Sequence, residues 1–401
     1  MPDRSRAFPL GASPVGHVKV FVIAGEASGD KLGGALMAGL SSMQDVQYEG
    51  VGGPMMEAQG LTSLFDMEEL SVMGLIEILP RYFDLKRRIT ETAQAVLRSK
   101  PDLLIGIDSP DFCLRVAKIV KAQSRTRVVH YVAPSVWAWR PGRAQKMVGV
   151  VDQVLALLPF EPPYLEDVGI ECDFVGHPVA AEPLATPDEM TALREELGFG
   201  AAPVLLVLPG SRKSEVDRMA PFYGAALRSI CAARPDLRGL VPTIGPRVAQ
   251  VREAVKDWAG APVLLAPQGE DAGINGARKR AGFALASAAL ATSGTVSLEL
   301  AAADTPMVIA YDTNWLTREI IRRMLRIDTL TLVNLVSETR DIPEFLAENC
   351  RADLIAPAIL KLLDAPAVQK NALRLTMDRL GRGGQAPGLR AAKAVLARLP
   401  A

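Results

Sequence analysis

Short runs of apolar residues recur along the chain, and each ends in small or polar residues. These runs are nearly continuous rather than alternating, which is typical of strands buried on both faces of a parallel sheet. Helical patterns lie between them, at 31–40 and 112–122. The strand–helix–strand order predicts parallel strands joined by right-handed crossovers. In the N-terminal half the apolar runs are VKVFVIAG (18–25), DLLIGID (102–108), RVVHYVAP (127–134) and DQVLALLP (152–159).

The same pattern starts again near residue 203, with a helical segment at 219–233. The second set of runs is PVLLVLPG (203–210), RGLVPTI (238–244), PVLLAP (262–267), AALATSG (288–294) and PMVIAY (306–311). The repetition predicts an α/β protein with two Rossmann-like domains facing a cleft. The predicted parts are a flexible N-terminal extension (1–16), a first domain (17–180), a second domain (181–365) that begins with a linker at 181–187, and a C-terminal helical segment (366–401). That last segment is interrupted at 381–387 and could pack back on the first domain.

Composition narrows the function classes. The chain has 401 residues, of which 49% are apolar and 22% charged, so disorder is excluded as its main state. Lys plus Arg and Asp plus Glu both number 45, which argues against broad nucleic-acid binding, and we expect no nucleic-acid partner. The four cysteines form no CxxC pair and the three histidines are scattered. We therefore expect no metal site, no cofactor and a reducing compartment.

Membrane and export signals are weak. The longest stretch without a charge, 281–298, consists mostly of Ala, Ser, Thr and Gly and contains a loop signal at Thr292–Thr295. We interpret it as a buried helix and strand rather than a membrane span. The first apolar run, 20–24, soon meets Glu26 and Asp30, so no secretory signal is predicted. A cytosolic location is expected.

In open α/β sheets, ligands bind at the carboxyl ends of the strands, so the residues that follow strands are the first candidates. The segment Gly25-Glu26-Ala27-Ser28-Gly29-Asp30 follows the first strand and opens a helix, where glycines and a helix N-terminus suit polar or anionic groups. Its spacing fits neither a dinucleotide fingerprint nor a P-loop. The alternative is a tight turn in which Ser28 or Asp30 caps the helix.

Asp108 ends the second apolar run. Ser109 and Pro110 suit the cap and the first residue of the next helix, so Asp108 is not needed for capping. A carboxylate at the strand tip could serve as a general base. The alternative is a structural aspartate bonded to loop amides.

Two loops of the second half suit a diphosphate. Residues 210–212 combine a glycine, a serine and an arginine after a strand, and 293–295 precede a helix in which Glu299 could take two ribose hydroxyls. The alternatives are a surface turn and an ordinary capped helix. An Asp-x-Asp pair occurs nowhere, so the predicted site holds a nucleotide diphosphate without metal. Its candidate residues are Gly210, Ser211, Arg212, Ser293, Gly294, Thr295 and Glu299.

Residues 71–88 place large apolar side chains beside a basic cluster that includes Lys86, Arg87 and Arg88. Such a stretch could contact a bilayer or acyl chains, and the alternative is an amphipathic core helix. Two tryptophans, Trp137 and Trp139, follow another strand, where they suit either stacking on a ligand or a place in the core. The candidate membrane or lipid residues are Met73, Ile76, Leu79, Arg81, Tyr82 and Phe83.

An ordered series of segments resembles the lipid-A-disaccharide synthase family over roughly residues 18–350. The segments are AGEASGD (24–30), MGLIEILPR (73–81), IDSPDF (107–112), YVAPSVWAWRPGR (131–143), PFEPPYL (159–165), FVGHP (174–178), LPGSRKSEV (208–216), ATSGTVSLELA (291–301) and LVNLV (332–336). The resemblance implies a glycosyltransferase of the GT-B type. It would join UDP-2,3-diacylglucosamine to 2,3-diacylglucosamine 1-phosphate without metal, with inversion, at the cytoplasmic face of the inner membrane. The products would be the β-1,6-linked disaccharide 1-phosphate and UDP.

The resemblance also implies roles for single residues. Asp108 would be the base, Arg212 and Ser211 with the amides of 293–295 would stabilise the leaving diphosphate, and Glu299 and Asn334 would hold the ribose or uracil. Residues Gly25, Glu26, Ser28, Gly29 and Asp30 would line the acceptor side, and the stretch at 72–88 would meet acyl chains and the inner-membrane surface. Members of the family can associate, so a homodimer is compatible with the resemblance.

The chain departs from the family pattern at 336–345, where Arg340 stands near the expected Gly-Arg pair, and in its N-terminal extension. One alternative is another GT-B-like UDP-sugar enzyme, such as a UDP-GlcNAc 2-epimerase, which would need no apolar-basic surface. A two-lobed binding protein without chemistry is the alternative from a different class.

Overall fold

The computed structural model describes residues 17–70, 75–138, 142–269, 271–314, 318–319 and 327–399, and for 75–82 it describes the backbone alone. It contains two six-stranded parallel sheets, which confirms the predicted α/β class. The first sheet has the order β2-β1-β3-β4-β5-β6 and the second β12-β11-β10-β7-β8-β9. The strands are β1 Val18–Ala24, β2 Val46–Val51, β3 Leu103–Ile107, β4 Arg127–Tyr131, β5 Gln153–Ala156, β6 Glu171–Phe174, β7 Val204–Leu208, β8 Arg238–Pro242, β9 Val263–Leu265, β10 Ala288–Ala291, β11 Met307–Tyr311 and β12 Glu344–Leu346.

Helices follow nearly every strand and cover both faces of the sheets, as crossovers between parallel strands require. They are α1 Ala27–Ser41, α2 Pro54–Glu57, α3 Leu75–Ser99, α4 Pro110–Lys121, α5 Gly142–Met147, α6 Pro162–Glu166, α7 Pro187–Glu196, α8 Lys213–Ala233, α9 Val248–Val255, α10 Ala272–Ala284, α11 Val296–Ala302, α12 Leu332–Ser337, α13 Ala352–Asp364, α14 Lys370–Arg379 and α15 Pro387–Leu396. In the described part of the chain, no helix is both long enough and apolar enough to cross a bilayer.

The uncharged stretch at 281–298 is the end of α10, then β10 and the start of α11, which confirms its interpretation as buried helix and strand. The strand β10 is fully buried at the centre of the second sheet. The short side chains of this stretch therefore reflect tight packing between layers rather than contact with lipid.

The chain crosses between the domains twice, at about 175–186 and again at about 380–386. The two crossings touch, because the backbone N–H of His177 donates to the carbonyl of Leu380 at 3.3 Å. After the second crossing, Arg390 of α15 donates to the carbonyl of Phe174 at 2.9 Å and lies 4.9 Å from the centre of its ring. Helix α15 then packs on α1, and its Ala391 and Val395 belong to the first-domain core. The two domains are therefore connected by two segments of the chain that lie against each other.

Candidate active site in the cleft between the domains

The carboxyl ends of β1 and β3 lie side by side, because these strands pair in parallel register. The loops that follow them are in close contact: a Cβ placed on Gly25 would fall 2.5 Å from the hydroxyl oxygen of Ser109. A side chain at residue 25 would force the Ser109 hydroxyl to move, so glycine allows this approach without any adjustment. The structure therefore brings the predicted acceptor-side segment at 25–30 next to the predicted base, Asp108.

Asp108 and Ser109 both adopt left-handed backbone conformations, with φ of +51° and +40°. The N–H of Asp108 donates to the carbonyl of Tyr131 at 2.9 Å, which ties the strained turn to β4. Helix α4 begins at Pro110 as predicted, yet the Ser109 side chain makes no capping bond. Two consecutive non-glycine residues in this region cost free energy, and such strain concentrates at functional sites.

The half-buried carboxyl of Asp108 has a raised pKa, because burial penalises its charged form more than the backbone amide of Ser109 stabilises it. The pKa of Glu26 is raised as well, first by burial and then by the negative charge of Asp108, while the positive charge of Arg212 opposes the shift. Since Arg212 belongs to the second domain, Glu26 lies within electrostatic range of both Asp108 and the predicted phosphate loop. Charged residues of the two domains thus influence one another across the cleft.

Asp30 is buried and serves the fold. Its two carboxylate oxygens accept hydrogen bonds from the backbone N–H groups of Gly53, Met55 and Met56, at 2.9, 2.9 and 3.0 Å. It therefore holds the start of α2, and neither Ser28 nor Asp30 caps α1, whose first flanking residue is Glu26. The place of Asp30 on the acceptor side of the cleft stays a prediction.

The loop at 210–212 carries the expected anion donors. The N–H groups of Ser211 and Arg212 point to one carboxylate oxygen of Glu215, at 3.1 and 3.2 Å, and the Arg212 guanidinium bonds its other oxygen at 3.0 Å. Gly210 has a φ of +125°, a conformation that favours glycine. Converging amides and a guanidinium on one carboxylate show that this loop can bind an anion.

The loop at 292–295 lies beside the first loop, because β10 pairs with β7 and the N–H of Thr292 donates to the carbonyl of Leu208 at 3.1 Å. Gly294 has a φ of +147°, and its carbonyl accepts the hydroxyl of Ser297 at 2.9 Å. Glu299 is a third exposed and pairs with Lys279 at 2.5 Å. Both predicted phosphate loops therefore share one edge of the second sheet, with Glu299 close behind.

Asn334 is buried, and its side chain closes the loop that follows α12. Its amide N–H groups donate to the hydroxyl of Thr329 and the carbonyl of Ile342, and its oxygen accepts the N–H of Ile342 at 3.1 Å. Both amide hydrogens are thus used within the fold, and a role of Asn334 in holding the ribose or uracil stays a prediction. In the departing segment, Arg340 pairs with Asp328 at 2.6 Å.

The structure describes only part of the predicted membrane stretch at 72–88. Met73 lies outside the described residues, while Ile76, Leu79, Arg81 and Tyr82 lie on the described backbone of α3. Phe83 is 81% exposed.

At least one residue of the basic cluster in this stretch, Arg88, is already engaged in ion pairs. Arg88 lies over the ring of Phe65 and pairs with Glu69 at 2.5 Å and Glu91 at 2.7 Å. These bonds hold Arg88 within the first domain.

Trp137 is buried in the core, which decides between its two alternatives. Its ring packs edge-on against Phe160 at 5.1 Å and its N–H donates to Glu161 at 3.2 Å. Trp139 lies outside the described residues. The expectation of ligand stacking is therefore not supported for Trp137.

Sequence reasoning missed Glu215, Glu161 and Tyr311. Glu215 stands three residues after Arg212, the spacing of a capping box, which is the signal that could have identified it. Tyr311 ends β11, and its pKa is raised by burial and by Glu215 and lowered by Arg212, so it lies near the anion loop. Among the residues the structure describes, no cluster of three or more His, Cys, Asp or Glu side chains could hold a metal ion.

Comparisons with known proteins show which family the chain matches. Residues 20–391 match the family model described as lipid-A-disaccharide synthetase. A lipid-A-disaccharide synthase of Ruegeria pomeroyi is 64% identical over 385 residues, covering 96% of both chains. The lipid-A-disaccharide synthase of Rhodospirillum centenum is 45% identical, covering 94% of both.

Solved structures share the fold at low identity. A UDP-GlcNAc 2-epimerase from Neisseria meningitidis bound to UDP-GlcNAc has a TM-score of 0.61 at 12% identity, covering 96% of this chain and 99% of its own. An Anabaena protein in complex with UDP and glucose has a TM-score of 0.57 at 12% identity, with the same coverage. These likenesses concern the fold alone.

Proposed function

The chain belongs to the lipid-A-disaccharide synthase family, and from that premise we propose how its cleft carries out the reaction. It is a glycosyltransferase of lipid A biosynthesis that acts on a UDP-sugar donor and an acceptor. The donor is UDP-2,3-diacylglucosamine and the acceptor 2,3-diacylglucosamine 1-phosphate. The epimerases with a similar fold, at 12% identity, are fold relatives.

In the proposed step, the Asp108 carboxylate takes the proton of the acceptor's 6-hydroxyl while that oxygen attacks the anomeric carbon of the donor. The new glycosidic bond forms as the bond to the diphosphate breaks, and the bonding electrons leave with UDP. Attack from the face opposite the leaving group inverts the anomeric centre and gives the β-1,6 linkage. A raised pKa makes the Asp108 carboxylate a stronger base than an exposed aspartate.

The second domain stabilises the departing UDP. The amides of Ser211 and Arg212 and the guanidinium of Arg212 already converge on a carboxylate, so they can bind phosphate oxygens in the same way. The amides of the neighbouring loop at 293–295 extend this donor set, and Glu299 lies behind it for the ribose. On the opposite wall, Gly25, Glu26, Ser28 and Gly29 line the acceptor side.

The observation that carries the mechanism is the strained turn at Asp108, which holds a half-buried carboxylate near Glu26, on the wall of the cleft opposite Arg212. We expect Asp108→Asn to lower turnover by at least about 100-fold, the usual contribution of a general base. UDP binding should be unchanged, since the phosphate loops belong to the other domain. UDP release from the two diacylated substrates measures the first quantity and calorimetry the second.

Asp111→Asn is the matched control, because Asp111 is an exposed carboxylate three residues further on, in the first turn of α4. It should retain nearly full activity. A folded Asp108→Asn enzyme that keeps most of its rate would show that another group is the base.

We further propose that the enzyme works on the cytoplasmic face of the inner membrane and contacts it through the stretch at 72–88, where the Phe83 ring is 81% exposed. Replacing Leu79, Tyr82 and Phe83 together with serine should reduce co-sedimentation with vesicles that contain anionic lipids. The matched control replaces Leu184, Ile274 and Val368, which are 57, 54 and 63% exposed elsewhere. Equal sedimentation of both triple variants would contradict membrane contact through this stretch.

A further inference from the structure

The proposed diphosphate loop is occupied by a side chain of the protein itself. One oxygen of Glu215 accepts both loop amides, those of Ser211 and Arg212, and the other accepts the Arg212 guanidinium at 3.0 Å. The Glu215 side chain is 16% exposed, whereas that of Arg212 is 63% exposed. The acid is thus held inside the loop, whereas most of the arginine side chain is open to solvent.

The backbone is shaped to admit this carboxylate. A Cβ on Gly210 would fall 2.5 Å from the Cβ of Glu215 and 2.8 Å from its carboxylate oxygen. The loop could therefore not close on Glu215 if residue 210 carried a side chain. The negative charge of Glu215 also helps burial to raise the pKa of Tyr311 at the end of β11, so this carboxylate acts on the carboxyl edge of the second sheet beyond its own loop.

An N–H group that points to Glu215 cannot make an equally good bond to a phosphate oxygen at the same time. Two anions, the carboxylate and the diphosphate, also repel each other across a single guanidinium. Binding of the donor through these groups therefore requires Glu215 to leave them.

We propose that Glu215 is an internal competitor of the diphosphate: it holds the loop when the site is empty, is displaced by the UDP-sugar, and returns as UDP departs. This inference rests on the proposed function of residues 210–212 as the diphosphate site. A ligand that uses the loop can bind only the molecules in which Glu215 has left it. Its apparent affinity is therefore the intrinsic affinity multiplied by the fraction of such molecules. It also favours product release, a step that limits the turnover of many enzymes.

The experiment measures binding of UDP and of uridine by calorimetry to the wild-type enzyme and to Glu215→Gln, which keeps the shape and removes the charge. We expect UDP to bind at least fivefold more tightly to E215Q, because its competitor is neutral. Uridine has no phosphate, so its affinity should not change. Glu215→Ala, which removes the competing group entirely, should also bind UDP more tightly.

Glu189→Gln is the matched control, since Glu189 is the capping-box acid of α7 in the same domain and accepts the N–H of Thr186 at 2.9 Å. Its affinity for both ligands should equal that of the wild type. Thermal unfolding of every variant is recorded alongside. UDP binding by E215Q and E215A that is equal to or weaker than wild type would overturn the competition.

Arg212→Ala separates this inference from the function on which it rests. Its control is Arg351→Ala, because Arg351 also precedes a helix, is 60% exposed and pairs with a nearby acid, Asp353. If R212A weakens UDP binding and E215Q does not strengthen it, the diphosphate site stands and the competition is wrong. If R212A binds UDP like the wild type, the loop is not the diphosphate site and both ideas are wrong.

Discussion

Glu161 is a buried carboxylic acid beside the junction of the two domains. It accepts the N–H groups of Trp137, Leu157 and Leu158, at 3.2, 3.1 and 2.9 Å. Trp137 and Leu158 belong to the same apolar cluster as the core of the second domain. Burial outweighs the three donors and raises the pKa of Glu161 to about 7. The protonation of one side chain is thereby linked to the packing between domains.

We expect this residue to make the protein less stable as the pH rises. The ordinary pKa of 4.5 applies to the unfolded chain and about 7 to the folded one, so the folded state binds the extra proton in that interval. Unfolding free energy should therefore fall by about 3 kcal/mol between these two pH values. Glu161→Gln cannot lose a proton, so its thermal midpoint should fall less than that of the wild type between pH 5 and 8.

Glu166→Gln, at the exposed end of the short helix α6 that Glu161 precedes, should retain the wild-type pH dependence. Equal slopes for the wild type and E161Q would show that Glu161 does not titrate in this range.

For single residues, sequence reasoning is limited by partners that are distant along the chain. It selected Asp108 as the candidate base because Ser109 and Pro110 suited the start of α4, although the Ser109 side chain makes no capping bond in the structure. It could not see that Asp30 is bound by amides 23 to 26 residues further on. Asn334 likewise meets its main partner, Ile342, eight residues later. Polar residues next to a ligand loop look alike until the fold shows which of them are already bonded.

At the scale of elements, the centres of the sheets were predictable and most of the edges were not. Each of the nine apolar runs contains a strand, from β1 to β11, and those strands include all the central ones. The strands without a predicted counterpart, β2, β6 and β12, all lie at sheet edges. Edge strands are only partly buried, so they contain polar residues such as Glu49, Glu171 and Glu344, and the apolar signal is lost.

The turn between β7 and α8 depends on Gly210, which combines a φ of +125° with the close approach of Glu215. Gly210→Ala would strain the backbone at a cost of about 1–3 kcal/mol and force the loop to open. We expect a lower thermal midpoint than that of the wild type, measured by calorimetry. Gly142→Ala is the control, since a Cβ there would meet no atom within 4 Å. Equal thermal midpoints of the two variants would contradict this role of the turn.

At the scale of the whole molecule, the C-terminal segment connects the two domains. The sequence showed its interruption at 381–387, and the structure separates α14, which packs on the second domain, from α15, which packs on α1. The helices α1 and α15 touch through their backbones: a Cβ on Gly39 would fall 2.8 Å from the carbonyl oxygen of Gly388. Sequence patterns give the apolar face of a helix but not the domain against which it packs.

This contact gives a prediction in which two similar substitutions have opposite effects. A Cβ on Gly388 would fall 2.5 Å from the carbonyl oxygen of Ala35, so Gly388→Ala should push α15 away from α1 and lower the thermal midpoint. Gly276→Ala, within α10, meets only the flexible end of Arg280 at 3.4 Å and should stabilise its helix by up to about 1 kcal/mol. Calorimetry of both variants distinguishes packing from helix propensity, because helix propensity alone would raise the thermal midpoints of both variants. A higher midpoint for G388A would mean that the two helices can separate without loss, and that the return of α15 does not hold the domains together.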